Sequence, residues 1–459
     1  MNRAIVPVAA AAVLGLALFG ASTVPVQQAG VTTAPDDDRA RVAVVCPTVV
    51  GGPTVIAGSS PGGQLLDAPL ADPDGTGSAS AHFSGDITDP VVVSAPRQDP
   101  FSATTRTAAA SGTDRGLSMA SCTRPGASQW FAGVTSSATG TADVVLMNAD
   151  AQDAAVDIAV YGPQGRMTAP GSRGIIVAAH SRRVVPLGPL FTATQPVSLE
   201  VSTSSGRVAA MVRQRMLRDD RPAGSDWLPA TAPPATAVVI PGLPAGKGGR
   251  DLVVVNPGER TASIAVQVLG ADGARAVPGF ETVELPPRTS RLVALGAALA
   301  GEAVGLRLSS EQKITAAVIS GNGGDAGSVD ISTQVATAAL SGPGVLALAP
   351  GQSTASVLQL AGGGPDPVAV RVLVSSGEGG RTLLDRVVQV PGLADTTLTL
   401  PRADDVQITV EPRGTGPVHA TVGVRIPVEG VTGVASLAIL PGTEATALPP
   451  LRQDPRVGS

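Results

Sequence analysis

Leu252-Val253-Val254-Val255-Asn256-Pro257-Gly258 reads as a buried strand ended by strong turn chemistry, and it is not alone in the chain. Val42-Ala43-Val44-Val45-Cys46-Pro47, Val144-Val145-Leu146-Met147-Asn148 and Ser356-Val357-Leu358-Gln359-Leu360-Ala361 can be laid over it. With Cys46, Asn148, Asn256 and Ala361 as the shared position, the intervals are 102, 108 and 105 residues. A period of that length means whole repeated domains rather than the short units of a solenoid.

Outward from Asn256, the next residues define the repeat. Ser263 to Leu269 alternates, placing Ile264, Val266 and Val268 on one face, and Gly270-Ala271-Asp272-Gly273 turns the chain. Thr282-Val283-Glu284-Leu285 returns and Pro286-Pro287 breaks it. Arg291 to Leu295, Val304 to Leu308 and Ile314 to Ile319 follow. Short strands with turn signals this closely spaced are the signature of a sandwich or barrel. The second unit repeats the order: Val156 to Tyr161 alternates before Gly162-Pro163-Gln164-Gly165, and Arg183 to Leu187 matches Arg291 to Leu295 at a shift of 108. Val368 to Val374, Thr397 to Leu400, Gln407 to Val410 and Val418 to Val422 hold the same places in the fourth.

A further strand precedes three of the units: Trp130-Phe131-Ala132-Gly133, Val239-Ile240-Pro241-Gly242 and Leu346-Ala347-Leu348. A fourth copy, Ala438-Ile439-Leu440-Pro441-Gly442, has no unit after it, and the first unit has no such strand before Val42. Two readings follow. Either the C-terminal strand completes the first unit and closes a ring or propeller, or it is a β tail folded on the last domain.

The composition suits this architecture. Hydrophobic residues make up 43% of the 459 residues but aromatics only 2%, so the cores are filled by Val, Leu, Ile and Ala. Gly 55 and Pro 40, without a collagen period, fit many strands joined by turns. A net charge of −5 provides no basic field for nucleic acid, and that class is set aside. Lys247 and Lys313 are the only lysines; with the Ala, Gly, Val and Pro excess this indicates a GC-rich bacterial genome.

Arg3 precedes an apolar run from Ala4 to Ala21, then the small uncharged Ser22-Thr23-Val24. This is the layout of an export signal, and the run is also just long enough for a membrane anchor. Either way Arg3 stays inside and Asp36-Asp37-Asp38 goes outside. Export puts Cys46 and Cys122, the only cysteines, in an oxidising compartment that favours joining them.

Trp130-Phe131, Val144 to Asn148, Ala155 to Tyr161, Gly165 and Arg182 to Leu187 together resemble a β-sandwich repeat of bacterial surface proteins. Cys122, Trp130-Phe131, the Asn256-Pro257-Gly258 turn and Asp226-Trp227-Leu228-Pro229 resemble, more narrowly, an actinobacterial family of exported or membrane-anchored proteins with no assigned function. The resemblance spans roughly residues 40 to 440. It implies a fold and no activity. The pattern weakens at Asp67 to Gly77, which is loop-like, and at Ala361-Gly362-Gly363-Gly364, which replaces the Asn-Pro turn.

Chemical motifs do not assemble. Gly58-Ser59-Ser60-Pro61-Gly62 has the spacing of a nucleophile elbow, but Pro61 lacks the N–H that an oxyanion hole requires. Ser310-Glu311-Gln312-Lys313, Ser320-Gly321-Asn322 and Lys247-Gly248-Gly249 have the residues of the penicillin-recognising boxes, yet the first sits between strands instead of on a helix. Asp72-Pro73-Asp74-Gly75 opens like a calcium loop that no glutamate closes. Gly321 to Asp325 is glycine-rich with no helix after it. Asp219-Asp220 and Asp404-Asp405 read as surface turns, and His82, His180 and His419 fall in three different units. No structural zinc set exists. Trp130 and Trp227 are the candidate binding surface, since sugar sites offer aromatic faces to sugar rings; burial at domain junctions is the competing account of both.

The expected protein is all-β: tandem Ig-like β-sandwich repeats of roughly 105 residues after an N-terminal signal or anchor helix, with a closed ring or β-propeller as the alternative arrangement. The expected divisions are 1–35 for signal or anchor plus linker, then 40–127 with the disulfide. Sandwich repeats at 128–225, 226–335 and 336–428 follow, with an extra strand and tail at 429–459. The expected function is a non-catalytic extracytoplasmic structural or interaction protein of the bacterial cell envelope, with envelope proteins or glycans as partners and no cofactor. The alternative is a protein that binds glycan or cell-wall polymer during envelope assembly.

Overall fold

The computed structural model describes residues 41–442, apart from 50–53, 62, 74–77, 81, 98, 247, 297, 300, 322–329, 349–355, 378–379 and 404. The expected signal or anchor segment lies outside the described residues, as do Lys247, Asn322 and Asp74-Gly75. Among the described residues there are strands and no helix, so none that is long and apolar enough to cross a membrane.

The chain runs through β1 (Arg41–Cys46), β2 (Thr54–Ser59), β3 (Leu65–Pro69), β4 (Ser78–Ser80), β5 (His82–Ile87), β6 (Val91–Pro96), β7 (Ser102–Ala109) and β8 (Gly116–Ser121). Next come β9 (Ser128–Val134), β10 (Gly140–Asn148), β11 (Ala154–Gly162), β12 (Gly165–Met167), β13 (Ile175–Val177), β14 (Ser181–Pro186), β15 (Val197–Ser205), β16 (Ala209–Arg218) and β17 (Arg221–Leu228). The third set is β18 (Ala235–Leu243), β19 (Arg250–Asn256), β20 (Ala262–Gly270), β21 (Gly273–Ala276), β22 (Thr282–Leu285), β23 (Thr289–Ala294), β24 (Val304–Gly321) and β25 (Ile331–Val335). The fourth is β26 (Gly344–Leu348), β27 (Ser356–Gly362), β28 (Val368–Ser376), β29 (Thr382–Val390), β30 (Asp395–Thr399), β31 (Val406–Arg413), β32 (Val418–Val428) and β33 (Val431–Ile439).

Each set forms two antiparallel sheets packed face to face. In the second set these are β14-β10-β16-β17 and β12-β11-β15-β9; in the fourth, β30-β27-β32-β33 and β26-β31-β28-β29. The third follows the same plan with one economy. Its β24 pairs β18 and β20 over its first half, then β19 and β25 over its second, so one strand serves both sheets. Residues 310–313, read as a break between two strands, are thus continuous strand. A Ser-x-x-Lys on a strand points its ends to opposite faces and cannot form the lysine-activated serine. Alternation puts Val, Leu and Ile of both sheets into one core per sandwich.

Register corrects the alignment of the first unit. There β2 lies between β5 and β7 as β10 lies between β14 and β16, while β1 is an edge strand on β6 as β9 is on β15. Val42 to Cys46 is therefore the counterpart of Trp130-Phe131, not of Val144 to Asn148. A Val-rich strand buried on both sides reads alike at either place. The first unit lacks nothing, and the C-terminal strand completes no other domain. Its β33 pairs along its whole length with β32 of its own sandwich.

The first and fourth sandwiches meet all the same, because the four units close into a ring. Val45 and Val92 of the first pack on Val145, Met147 and Met211 of the second. Ala132 of the second packs on Val253 and Ala317 of the third, and Val239 and Leu269 of the third on Ala361 of the fourth. Ala347 of the fourth then packs on Ala57 of the first. There Thr104 Oγ1 donates to the Ala347 carbonyl at 2.9 Å, and Ser121 Oγ to the Ala438 carbonyl at 3.2 Å. Strand orders such as β1-β6-β3-β4 are those of sandwiches and not of the sequential blades of a propeller. Cys46 and Cys122 are joined in a disulfide across the first sandwich.

Candidate functional site

Each sandwich ends the same way. Residues 123, 231, 337 and 441, just past the last strand, bridge back to the first strand of their own unit at Val45, Trp130, Val239 and Gly344. The four last strands β8, β17, β25 and β33 are thereby brought side by side around the centre of the ring. Seven residues before the bridging positions stand Gly116, Gly224, Asp330 and Val434.

Asp330 is the one charged member of that set, and it is buried. Its Oδ2 accepts hydrogen bonds from the Leu117 amide of the first unit and the Val434 amide of the fourth, both at 3.0 Å. Its Oδ1 lies against the two glycines. A Cβ on Gly116 would stand 2.2 Å from it, and one on Gly224 2.7 Å; both glycines also hold φ near +116°, which L side chains rarely adopt. One carboxylate therefore touches all four units. Burial pushes its pKa up to about 6, against the pull of the Leu117, Val434 and Ile331 amides.

Asp226 of β17 lies beside it. Its Oδ2 accepts from the Thr333 amide of β25 at 2.9 Å, and burial, then the neighbouring Asp330, raises its pKa well above the usual carboxylate range. Oδ1 of each aspartate is buried without a hydrogen-bond partner. Toward the first unit the charges are paired. Arg213 donates through Nη2 to Asp114 Oδ1 at 2.9 Å and to Ser225 Oγ at 3.0 Å, with its guanidinium 5.1 Å from the Trp227 ring centre. Arg215 bridges Asp114 and Asp143 at 2.8 and 2.7 Å. Desolvation opposes ionisation of Asp114, but Arg213 and Arg215 together hold it below its ordinary value.

At the seam between fourth and first units His82 Nε2 is hydrogen-bonded to Asp405 Oδ2, and Ser59 Oγ to Gln407 Oε1. Ser59 stands directly opposite His82 across β2 and β5. A serine, a histidine and an aspartate do gather here, yet the serine hydroxyl is engaged by Gln407 while His82 Nδ1 has no partner. That is not the relay a nucleophile needs, in which serine, base and orienting acid are bonded in series. His419 is buried against Thr337 Oγ1 at 3.0 Å, and burial lowers its pKa to about 4. Among the described residues no three of His, Cys, Asp and Glu come together as metal ligands.

The two tryptophans follow the junction account and not that of an exposed aromatic surface. Trp130 is 7% exposed and Trp227 1%. Trp130 meets the tilted ring of Tyr161 at 5.3 Å between centres and packs against Val255 of the third unit, and Trp227 lies beneath Arg213 between first and second units. Each buries a large apolar ring at a junction, where it cannot meet a sugar. Asp226 and Asp330, which organise the centre, carried no signal of their own: one precedes Trp227 and the other follows a glycine-rich run.

Residues 85–403 match the model of a family described as Family of unknown function (DUF5719). No curated protein matches the chain. Among solved structures, trypsin-activated alpha-2-macroglobulin from Escherichia coli is similar over 89% of this chain and 34% of that one, at 8% identity and a TM-score of 0.13. The chain thus spans about a third of that protein's length, and so low a score carries no argument.

Proposed function

The chain belongs to the DUF5719 family of unknown function, and from that premise we propose that it is a non-catalytic, extracytoplasmic structural and interaction protein of the cell envelope. The observation that carries the reading is where the reactive side chains are placed. The buried aspartates, the pairs of Arg213 and Arg215 with Asp114, and the His82–Asp405 contact all join one unit of the ring to another. A rigid ring with its polar groups turned inward suits a platform that holds other components in place. The Cys46–Cys122 disulfide and the export layout of residues 3–24 support a location outside the cytoplasm.

Two measurements test this. Labelling of intact host cells with a membrane-impermeant reagent is expected to reach the chain, with Cys46 and Cys122 oxidised; a reduced, shielded chain would overturn the location. Photo-crosslinking from exposed strand residues is expected to yield stable envelope partners. Turnover of cell-wall fragments by the purified protein would overturn the non-catalytic assignment.

A further inference from the structure

The second sandwich carries a cavity of about 380 Å³ between β11 and the loop that joins β12 to β13. Ile158, Met167 and Ala169 give it an apolar interior, and Ser172 lines it while only 5% exposed. Arg166 and Arg173 stand at its rim, both exposed. Among the described residues neither arginine pairs with a carboxylate, and no acidic residue lines the cavity.

The third sandwich shows what this place holds when it is closed. At the shift of 108 residues, Ala169-Pro170-Gly171-Ser172-Arg173 falls on Val277-Pro278-Gly279-Phe280-Glu281. The backbones agree: Gly171 and Gly279 both have φ of +79°, and the Ser172 and Phe280 amides donate to the Ala169 and Val277 carbonyls at 3.1 and 2.9 Å. Phe280 packs into the third core, and Glu281 replaces the rim arginine. The nearby Arg275 is neutralised by Glu302 at 2.8 Å. The second unit thus has Ser172 where the third has its filling phenylalanine, with Leu190 instead of Ala298 beside the turn glycine, and an arginine at the rim where the third has Glu281. Asp157 reaches this loop through the Gly174 amide at 2.7 Å and pairs with neither arginine.

We propose that this cavity binds a compact organic anion: a phosphate or carboxylate held between Arg166 and Arg173, on a small body that enters beside Ser172. Guanidinium forks suit both anions, the Ser172 hydroxyl offers one further polar contact, and the volume falls at the lower end of small-molecule sites. The site does not depend on the envelope role.

Calorimetric titration of the oxidised chain with glycerol 3-phosphate, glycerate and glycerol tests it. One of the two anions is expected to bind saturably, one per chain, and thereby identifies the charged group; glycerol is expected not to bind. Arg166→Ala and Arg173→Ala, both at exposed positions, are each expected to weaken binding at least tenfold, and Ser172→Phe to abolish it by restoring the third unit's filler. Absence of saturable binding by either anion overturns the proposal. So does binding that survives both arginine substitutions, which remain informative if Ser172→Phe does not fold.

Discussion

Asn148 and Asn256 show how much one residue decides. Each is buried, and each Nδ2 donates to three carbonyls: Gln152, Val177 and Ala178 in one unit, Arg260, Leu285 and Pro286 in the next. Each Oδ1 accepts the amide two residues on, at 3.0 Å. The repeat was legible because this bond set admits no other side chain of that size. Ala361 occupies the same register position against Asp395, so the fourth unit fixes its turn by other means. The glycines beside Asp330 are equally exacting. Gly224→Ala, with its Cβ 2.9 Å from the Ile331 amide nitrogen, is expected to destabilise by about 3 kcal/mol or more, against about 1 kcal/mol for Gly174→Ala, which faces open space. Urea denaturation of the two variants checks this.

Titration belongs to the residue scale as well. Burial pushes Asp395 up to about 7 and Asp330 up to about 6, so the fold holds these protons more tightly than the unfolded chain does. Their contribution to stability therefore falls as pH rises from near 4 through those values. His419 acts oppositely, losing stability as pH falls from 6.5 toward 4, and is silent above that range. Asp395→Asn is expected to be nearly neutral at pH 4 and stabilising at pH 8, by up to about 4 kcal/mol. Denaturation midpoints across that range test it; equal effects at both ends would refute the assignment.

Among the elements, most strands of the second, third and fourth units were readable in their succession along the chain, and the first unit was misaligned. Alternation and turn residues mark a strand, but β1 and β10 share a Val-rich pattern, and only hydrogen bonding separates edge from centre. The union of two strands in β24 also left no trace, since Ser310 to Lys313 has the composition of a turn. The β16–β17 hairpin gives a prediction at this scale. Asp219 and Asp220 have φ of 50° and 58°, as a two-residue type I′ turn requires. Replacing them by Asn-Gly is expected to stabilise by about 1 kcal/mol, read from the shift in denaturation midpoint.

Across the whole molecule, the four sandwiches share one centre. A string of independent domains would melt in several steps. A ring in which Asp330 binds amides from the first and fourth units is expected to give one calorimetric transition, with van't Hoff and calorimetric enthalpies equal. The disulfide closes a loop of 76 residues, and replacing both cysteines by alanine is expected to cost about 4 kcal/mol in the chain-entropy account. Loss of a single step instead of a shift of the whole transition would show that the first unit melts alone.

Local chemistry, by itself, determined the all-β class, the recurrence of whole sandwiches and the one possible cysteine pair, because alternation, turn residues and cysteine count act over a few residues or by elimination. Only the tertiary structure decided that the first unit meets the fourth, that both tryptophans are buried, and that two aspartates lie side by side at the centre. Those facts depend on which faces four separate units press together, and each face is written in residues about a hundred positions apart.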